Sequence, residues 1–209
     1  MGVITYISNN FDQVIDATLQ HIQLSFAAVL LACLIGIPLG FLLINNKTLS
    51  AIVLNIANVL QTIPSLAMFA LVMPFMGIGP KPAIFALFLY ALLPIIKNTY
   101  IGINSVDAAI RQAAVGMGMS RHQIMFQIEV PLAVPVIMGG VRIATVTCIG
   151  VTTIATLIAA GGLGDFIYRG LSTFDIPMIL TGAIFSALLA LGMDFLLGLL
   201  ENKLTSKGL

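Results

Sequence analysis

From Asp16 to Lys47 the chain carries no charge, and from Lys47 to Lys81 it carries none again. A helix that crosses about 30 Å of hydrocarbon needs about 20 apolar residues, so each run is long enough to supply one. Hydrocarbon offers backbone groups no partner, which makes helices the expected form of such runs. The chain is 59% hydrophobic and 8% charged, with a mean hydropathy of +1.10. Ordinary soluble chains are about 25% charged. The expected fold class is therefore all-α, a polytopic membrane bundle of about five spans. They are placed over residues 22–44, 51–76, 82–96 (reaching 101 if Lys97 snorkels), 134–159 and 177–200. Pro64 and Pro74 fall inside the second span, where bundled helices tolerate kinks. With no linker, repeat or low-complexity tract, residues 1–209 read as one membrane domain, its core about 20–200.

Several function classes drop out. A net charge of +1 gives no reason to invoke nucleic acid. Cys33 and Cys148 fall in spans and read as small buried hydrophobes. His21 and His122 lack partner ligands at metal spacing and read as interfacial or loop residues, so no metal is expected. A membrane-embedded enzyme needs His, Cys or carboxylate groups converging at one depth, and the chain offers only Arg142 and Asp194 there. No catalytic residue is assigned. The early charges are Asp12 and Asp16 rather than a basic run, so no cleaved signal peptide is expected.

Orientation follows from Lys and Arg. With the N-terminus outside, the cytoplasmic side holds Lys47, Lys97, Arg111, Arg121, Lys203 and Lys207, with Arg142 near that face; the outside holds Lys81 and Arg169. Five spans then put the C-terminus in the cytoplasm. Residues 3–20 read as an amphipathic helix at the outer interface, with Ile4, Ile7, Phe11, Ile15 and Leu19 on one face.

Two uncharged polar stripes mark the spans. Asn55, Asn58, Gln61, Thr62 and Ser65 share one face of the second, and Thr145, Thr152 and Thr156 align in the fourth. Such stripes either line a water-accessible path or bond across helices as glue. Neither offers an anion a fixed countercharge. Arg142 lies about 12 Å into its span and Asp194 about 9 Å into the next, at ~1.5 Å per residue. Charges at that depth are costly, so an Arg142–Asp194 ion pair is expected.

Residues 105–131 break the apolar pattern. Four charges, Asp107, Arg111, Arg121 and Glu129, lie there. Gln112, Ala113, Ala114 and Met117 suit helix, and Gly116 and Gly118 interrupt it. Ser120 is a natural N-cap for a second short helix from Arg121 to about 128, and Pro131 favours an end or bend. Helix, glycine turn, helix and then a span make a protruding knuckle. Its apolar tip, Met117 and Met119, suits a groove on another protein.

This segment resembles the EAA loop of binding-protein-dependent ABC importer permeases. That pattern runs Glu-Ala-Ala, three residues, Gly, nine residues, Ile-x-Leu-Pro, and here Ala113, Ala114, Gly118, Ile128 and Pro131 fall in place. Gln112 stands where the family has Glu, and Val130 where it has Leu, so any ion pair made by that Glu is absent here. Leu60–Ala67 (LQTIPSLA), Leu87–Ile103 and the Gly161–Asp165 turn (GGLGD) resemble the osmoprotectant importers, from about Ser25 to the Lys207-Gly208-Leu209 ending. GGLG by itself does not discriminate, since methionine-type permeases also have it; the Leu-Pro-Ile-Ile-Lys-Asn-Thr-Tyr stretch is the more discriminating one.

The resemblance implies a membrane subunit in a bacterial plasma membrane, with a fold like that of methionine permeases, that passes glycine betaine, carnitine, choline or a similar quaternary ammonium compound. Its coupling loop, Gln112 through Ala114 and Met117 through Arg121, would seat on a separate ATPase. The implied partners are two ATP-binding subunits, a second permease (identical or paralogous), an extracellular binding protein and lipid. ATP and Mg would bind the ATPase, leaving no cofactor in this chain. The same machinery carrying methionine or another small solute is the alternative; a channel would not explain the knuckle. The chain has no Trp and no clustered aromatic cage, which the resemblance accounts for by placing recognition in the binding protein. The GGLGD turn reads as a surface turn or a re-entrant element at the path's exit.

Overall fold

A computed structural model of the chain describes residues 2–204, so Lys207 and the 207–209 ending lie outside them. Every regular element is a helix. In chain order they are α1 (Val3–Asn9), α2 (Phe11–Leu43), α3 (Lys47–Thr62), α4 (Ser65–Met76), α5 (Pro80–Asn104), α6 (Ala108–Gly116) and α7 (Arg121–Ile124). A π turn (Met125–Glu129) leads into α8 (Val130–Thr152). A 3₁₀ turn (Ala155–Ile158), α9 (Gly164–Thr173) and α10 (Ile176–Leu204) follow. Among the described residues four helices are long and apolar enough to cross a membrane, and a fifth crossing exists if α3 and α4 count as one broken span.

The central helix is α5, which packs against α2, α3, α4 and α8. Lipid tails are as apolar as the helices, so association depends on close contact rather than on a hydrophobic drive. Small residues supply that contact. A Cβ on Gly40 of α2 would sit 2.6 Å from Thr99 Cβ of α5, and one on Gly140 of α8 would sit 2.6 Å from Asn98 Cβ. The same logic fills the core with Ala28, Ala32, Ala83, Ala86, Ala91, Ala144 and Cys148, all fully buried around Phe69, Leu87 and Ile95. By contrast α10 is apolar all round and shows Leu188, Leu191 and Phe195 on its surface. That is the pattern of a span facing lipid.

The elements depart from the sequence expectation in four places. There is no single interfacial helix over residues 3–20. The chain turns at Asn10, whose Nδ2 donates to Tyr6 O at 2.9 Å, and residues from Phe11 onward belong to the first span. Ile4, Phe11, Ile15 and Leu19 stay exposed, while Tyr6, Val14 and Ala17 pack against Phe166, Met178 and Phe185. The second span is not one kinked helix: α3 and α4 meet at 102° across Ile63-Pro64.

Pro131 does not end its helix, since residues from Arg121 to Thr152 run on as one 32-residue helical span. Proline removes one ladder bond and its ring crowds the carbonyl four residues back; the wider π turn immediately before it gives that ring room. Finally α8 stops at Thr152, so Thr156 lies in the 3₁₀ turn and not in a span.

Candidate functional site

The knuckle is built by local rules. Asp107 caps α6, its Oδ1 accepting from Ala109 N at 2.8 Å. The helix ends in a paired turn: Gly118 N donates to Val115 O at 2.9 Å and Met119 N to Ala114 O at 3.1 Å, closing a Schellman motif. That motif needs a left-handed residue at Gly118, where φ is +80°, and glycine adopts it without a Cβ penalty. Ser120 then caps α7 with a full capping box. Gln123 N donates to Ser120 Oγ at 3.3 Å, and Ser120 N to Gln123 Oε1 at 2.8 Å.

Two arginines fix this unit to the spans. Arg111 Nη2 donates to Ile103 O at 2.5 Å, at the end of α5, and Arg111 Nε lies 2.7 Å from Glu129 Oε1 at the foot of α8. Arg121 Nη2 donates to Asn45 Oδ1 in the α2–α3 corner. A cavity of about 510 Å³ beneath them is lined by Asn45, Asn104, Arg111, Met119, Arg121 and Glu129, among others. Ala114 is fully buried against the bundle. Gln112, Ala113, Gly118 and Ser120 are exposed. The outer surface is apolar, with Val115 63%, Met117 73% and Phe126 67% exposed. Met119 is only half-buried, so Phe126 and Val115 share the tip with Met117. The result is a stiff, greasy projection tied to α5, α8 and the α2–α3 corner.

The polar stripes fare differently from each other. Asn55, Asn58, Gln61 and Thr62 all lie on the exposed side of α3. Ser65 does not share their face, because it begins α4 beyond the 102° break. Thr145 and Thr152 are buried and donate to Val141 O and Cys148 O of their own helix. Thr152 Oγ1 also lies 3.0 Å from Ser25 Oγ of α2. Thr156 Oγ1 donates to Asp165 Oδ1. Thr152 and Thr156 thus join elements of the bundle, whereas Thr145 bonds only within its own helix.

Arg142 and Asp194 are brought together. Arg142 Nε donates to Asp194 Oδ1 at 2.9 Å and Nη2 to Oδ2 at 2.8 Å, a bidentate fork, while Nη1 reaches Glu201 Oε2 at 3.0 Å. Glu201 is the member sequence reasoning missed. Among the described residues no three of His, Cys, Asp and Glu converge as metal ligands would.

The family described as binding-protein-dependent transport system inner membrane component matches residues 27–206. This chain belongs to it. The permease is thus a multi-pass inner-membrane protein of ABC importers. It is 42% identical over 208 residues to the carnitine transport permease protein OpuCB of Listeria monocytogenes, covering 100% of this chain and 95% of that one. It is 46% identical over 202 residues to the glycine betaine/carnitine/choline transport system permease protein OpuCD of Bacillus subtilis, covering 96% and 88%. The osmoprotectant import permease protein OsmW of Salmonella typhimurium is 44% identical over 214 residues, covering 100% of each. In fold the permease matches an inward-facing structure of the MetNI methionine ABC transporter, with a TM-score of 0.84 at 21% identity over 92% of this chain and 96% of that one.

One contact of the permease went unread in the sequence. His21 is neither interfacial nor in a loop; it is fully buried in α2. Its Nε2 donates to Ile149 O at 2.9 Å, one of the carbonyls left over where α8 ends, and its Nδ1 accepts from Leu163 N at 3.2 Å. That pattern requires the neutral ring. Beside it Gln20 Oε1 accepts from Gly162 N at 3.0 Å and Gln20 Nε2 donates to Ala160 O at 3.2 Å. The GGLGD turn is thereby clipped onto α2, with Gly162, Leu163 and Gly164 buried.

Proposed function

We propose that the permease is the membrane half of an ATP-driven importer for quaternary ammonium osmoprotectants such as glycine betaine, carnitine and choline. Its N-terminus faces outward and its knuckle faces the cytoplasm, as the Lys and Arg bias indicates. The observation that carries the reading is the knuckle itself, a rigid projection with Val115, Met117 and Phe126 bare at its end. A water-facing loop that keeps three large apolar side chains exposed has a partner to bury them. That partner is an ATP-binding subunit, one copy per permease, and ATP and Mg are held there. ATP hydrolysis belongs to it, and no residue of this chain performs bond chemistry. With residues 1–209 acting as a single domain, two permeases, identical or paralogous, enclose one path, and an extracellular binding protein delivers solute to it.

The work is mechanical. ATP-driven closure of two ATPases shifts the knuckles. Arg111 and Arg121 pass that shift to α5, α8 and the α2–α3 corner, so bistable packing of the spans follows the docked joint. At the Gln112 position this joint relies on neutral hydrogen bonding and packing. The path itself runs along α3. Asn55, Asn58, Gln61 and Thr62 are exposed on the protomer within a membrane span, where polar groups survive only against protein or water. The Arg142–Asp194–Glu201 cluster ties α8 to α10.

Docking is testable by disulfide trapping. Met117→Cys is expected to cross-link to a cysteine placed in the docking groove of the co-expressed ATPase subunit. Its yield is expected to change between nucleotide-free and ATP-bound complex. No cross-link at any groove position would reject the seat.

A further inference from the structure

The Arg142 cluster does more than join two helices, because it opens onto a cavity. A space of about 590 Å³ lies between α8 and α10, with Arg142, Asp194 and Glu201 in its wall. That is the size of a small-molecule site. Arg142 stands about 18 Å along α8 from Val130, and Asp194 about 15 Å from the Leu204 end of α10. Both are at membrane depth, yet the Arg142 side chain is 32% exposed and that of Asp194 42%. Charged groups left open at that depth face water or protein rather than lipid.

The wall carries both signs of charge. A guanidinium has five N–H donors. In Arg142 the Nε donor and one on Nη2 go to Asp194, and one on Nη1 goes to Glu201. One N–H on each Nη nitrogen remains. The guanidinium lies over Gly198, where a Cβ would stand 3.3 Å from its Cζ, so a glycine is what seats it against α10. Around the charges the lining is apolar, with Ile143, Val146, Ala190 and Leu191. Gly139 lies in the same wall and has nothing within 4 Å of where a Cβ would stand. A small side chain there enters open space.

We propose that this cavity binds the zwitterionic members of the solute class, betaines that carry both a carboxylate and a trimethylammonium group. The solute lies antiparallel to the Arg142–Asp194 pair. Its carboxylate takes a remaining guanidinium N–H, a charge-assisted hydrogen bond. Its onium group rests against the open side of the Asp194 carboxylate, and its methyls meet Ile143 and Val146. An onium group has no N–H to donate, so it is held by the field of a carboxylate that keeps its bonds to arginine. Pairing of charges within the wall keeps the hold weak enough for release. A plain cation such as choline gains only the second contact. The inference rests on the osmoprotectant reading above and names betaines as the solutes that this part of the membrane interior prefers.

The test uses the permease–ATPase complex in proteoliposomes, without binding protein so that none sequesters the solute. Gly139→Cys puts a thiol in the cavity, and wild type, with Cys33 and Cys148, gives the background. A charged methanethiosulfonate reagent, which does not enter lipid, is expected to modify that thiol. Glycine betaine and carnitine are expected to slow the reaction. Choline should need about tenfold more for the same protection, the factor carried by one hydrogen bond to a charged group. Adding Arg142→Gln and Asp194→Asn keeps hydrogen-bonding groups but removes the charges, and that tenfold preference should vanish. Binding-protein-stimulated ATP turnover, measured separately, reports that each variant is assembled. An unreactive thiol would show that lipid or the second permease fills the cavity, and equal protection by choline and glycine betaine would show that Arg142 holds no carboxylate. Either result overturns the site. Failure of the wild-type complex to accumulate glycine betaine or carnitine with binding protein present would instead overturn the osmoprotectant reading.

Discussion

Gly118→Arg is expected to bring solute uptake and binding-protein-stimulated ATP turnover to background. Two effects combine. Residue 118 holds φ at +80°, and an L-residue in that conformation costs roughly 1–2 kcal/mol, loosening the Schellman turn that sets α6 against α7. No other group lies within 4 Å of where a Cβ would stand, so a long cationic side chain projects freely beside Val115 and Met117. It would put a charge into the surface that we propose is buried against the ATPase. Gly118→Ala carries the first effect alone and should fall between the two. Uptake and ATP hydrolysis of the reconstituted complex measure this, and normal activity in Gly118→Arg would reject the docking role.

His21→Leu is expected to be among the most destabilising single changes in the chain. Leucine fills comparable space but leaves Ile149 O and Leu163 N without partners in a buried setting. Each orphaned group costs about 1–3 kcal/mol. The GGLGD turn would also lose half of its clip to α2, with only the Gln20 contacts remaining. Thermal unfolding of the purified permease in detergent checks the result. Gln20→Ala, whose bonds are only partly buried, should lose less. A His21→Leu protein as stable as wild type would show that the clip bears no load.

What could be read from the sequence was what depends on neighbours along the chain. Uncharged runs located the spans, Ser120 announced its cap, and Gly118 marked the knuckle's turn. Composition and spacing carry such information because caps, turns and span lengths are local physics. The bend at Ile63-Pro64 was underestimated for a different reason. Proline only permits a kink; here the Tyr90 hydroxyl on the Ile63 carbonyl and the Gln61 amide on Tyr90 O hold a 102° break, and both contacts come from α5. Pro131, the same residue type, sits in a continuous helical span, directly after a π turn that makes room for its ring. Long-range partners were equally hidden. Glu129 answers Arg111 from 18 positions away, and Glu201 joins Arg142 from 59. His21 looked like a lone interfacial histidine because its partners are a helix end and a turn brought in from 128 and 142 residues along the chain.

The most direct measurement is solute uptake by the full complex. The permease, its ATPase and its binding protein are reconstituted, and ATP-dependent accumulation of labelled glycine betaine is followed with unlabelled competitors. Accumulation that requires ATP and is competed by choline or carnitine but not by methionine is the predicted result. ATP-independent flux, or accumulation of methionine in place of the quaternary ammonium solutes, would contradict it.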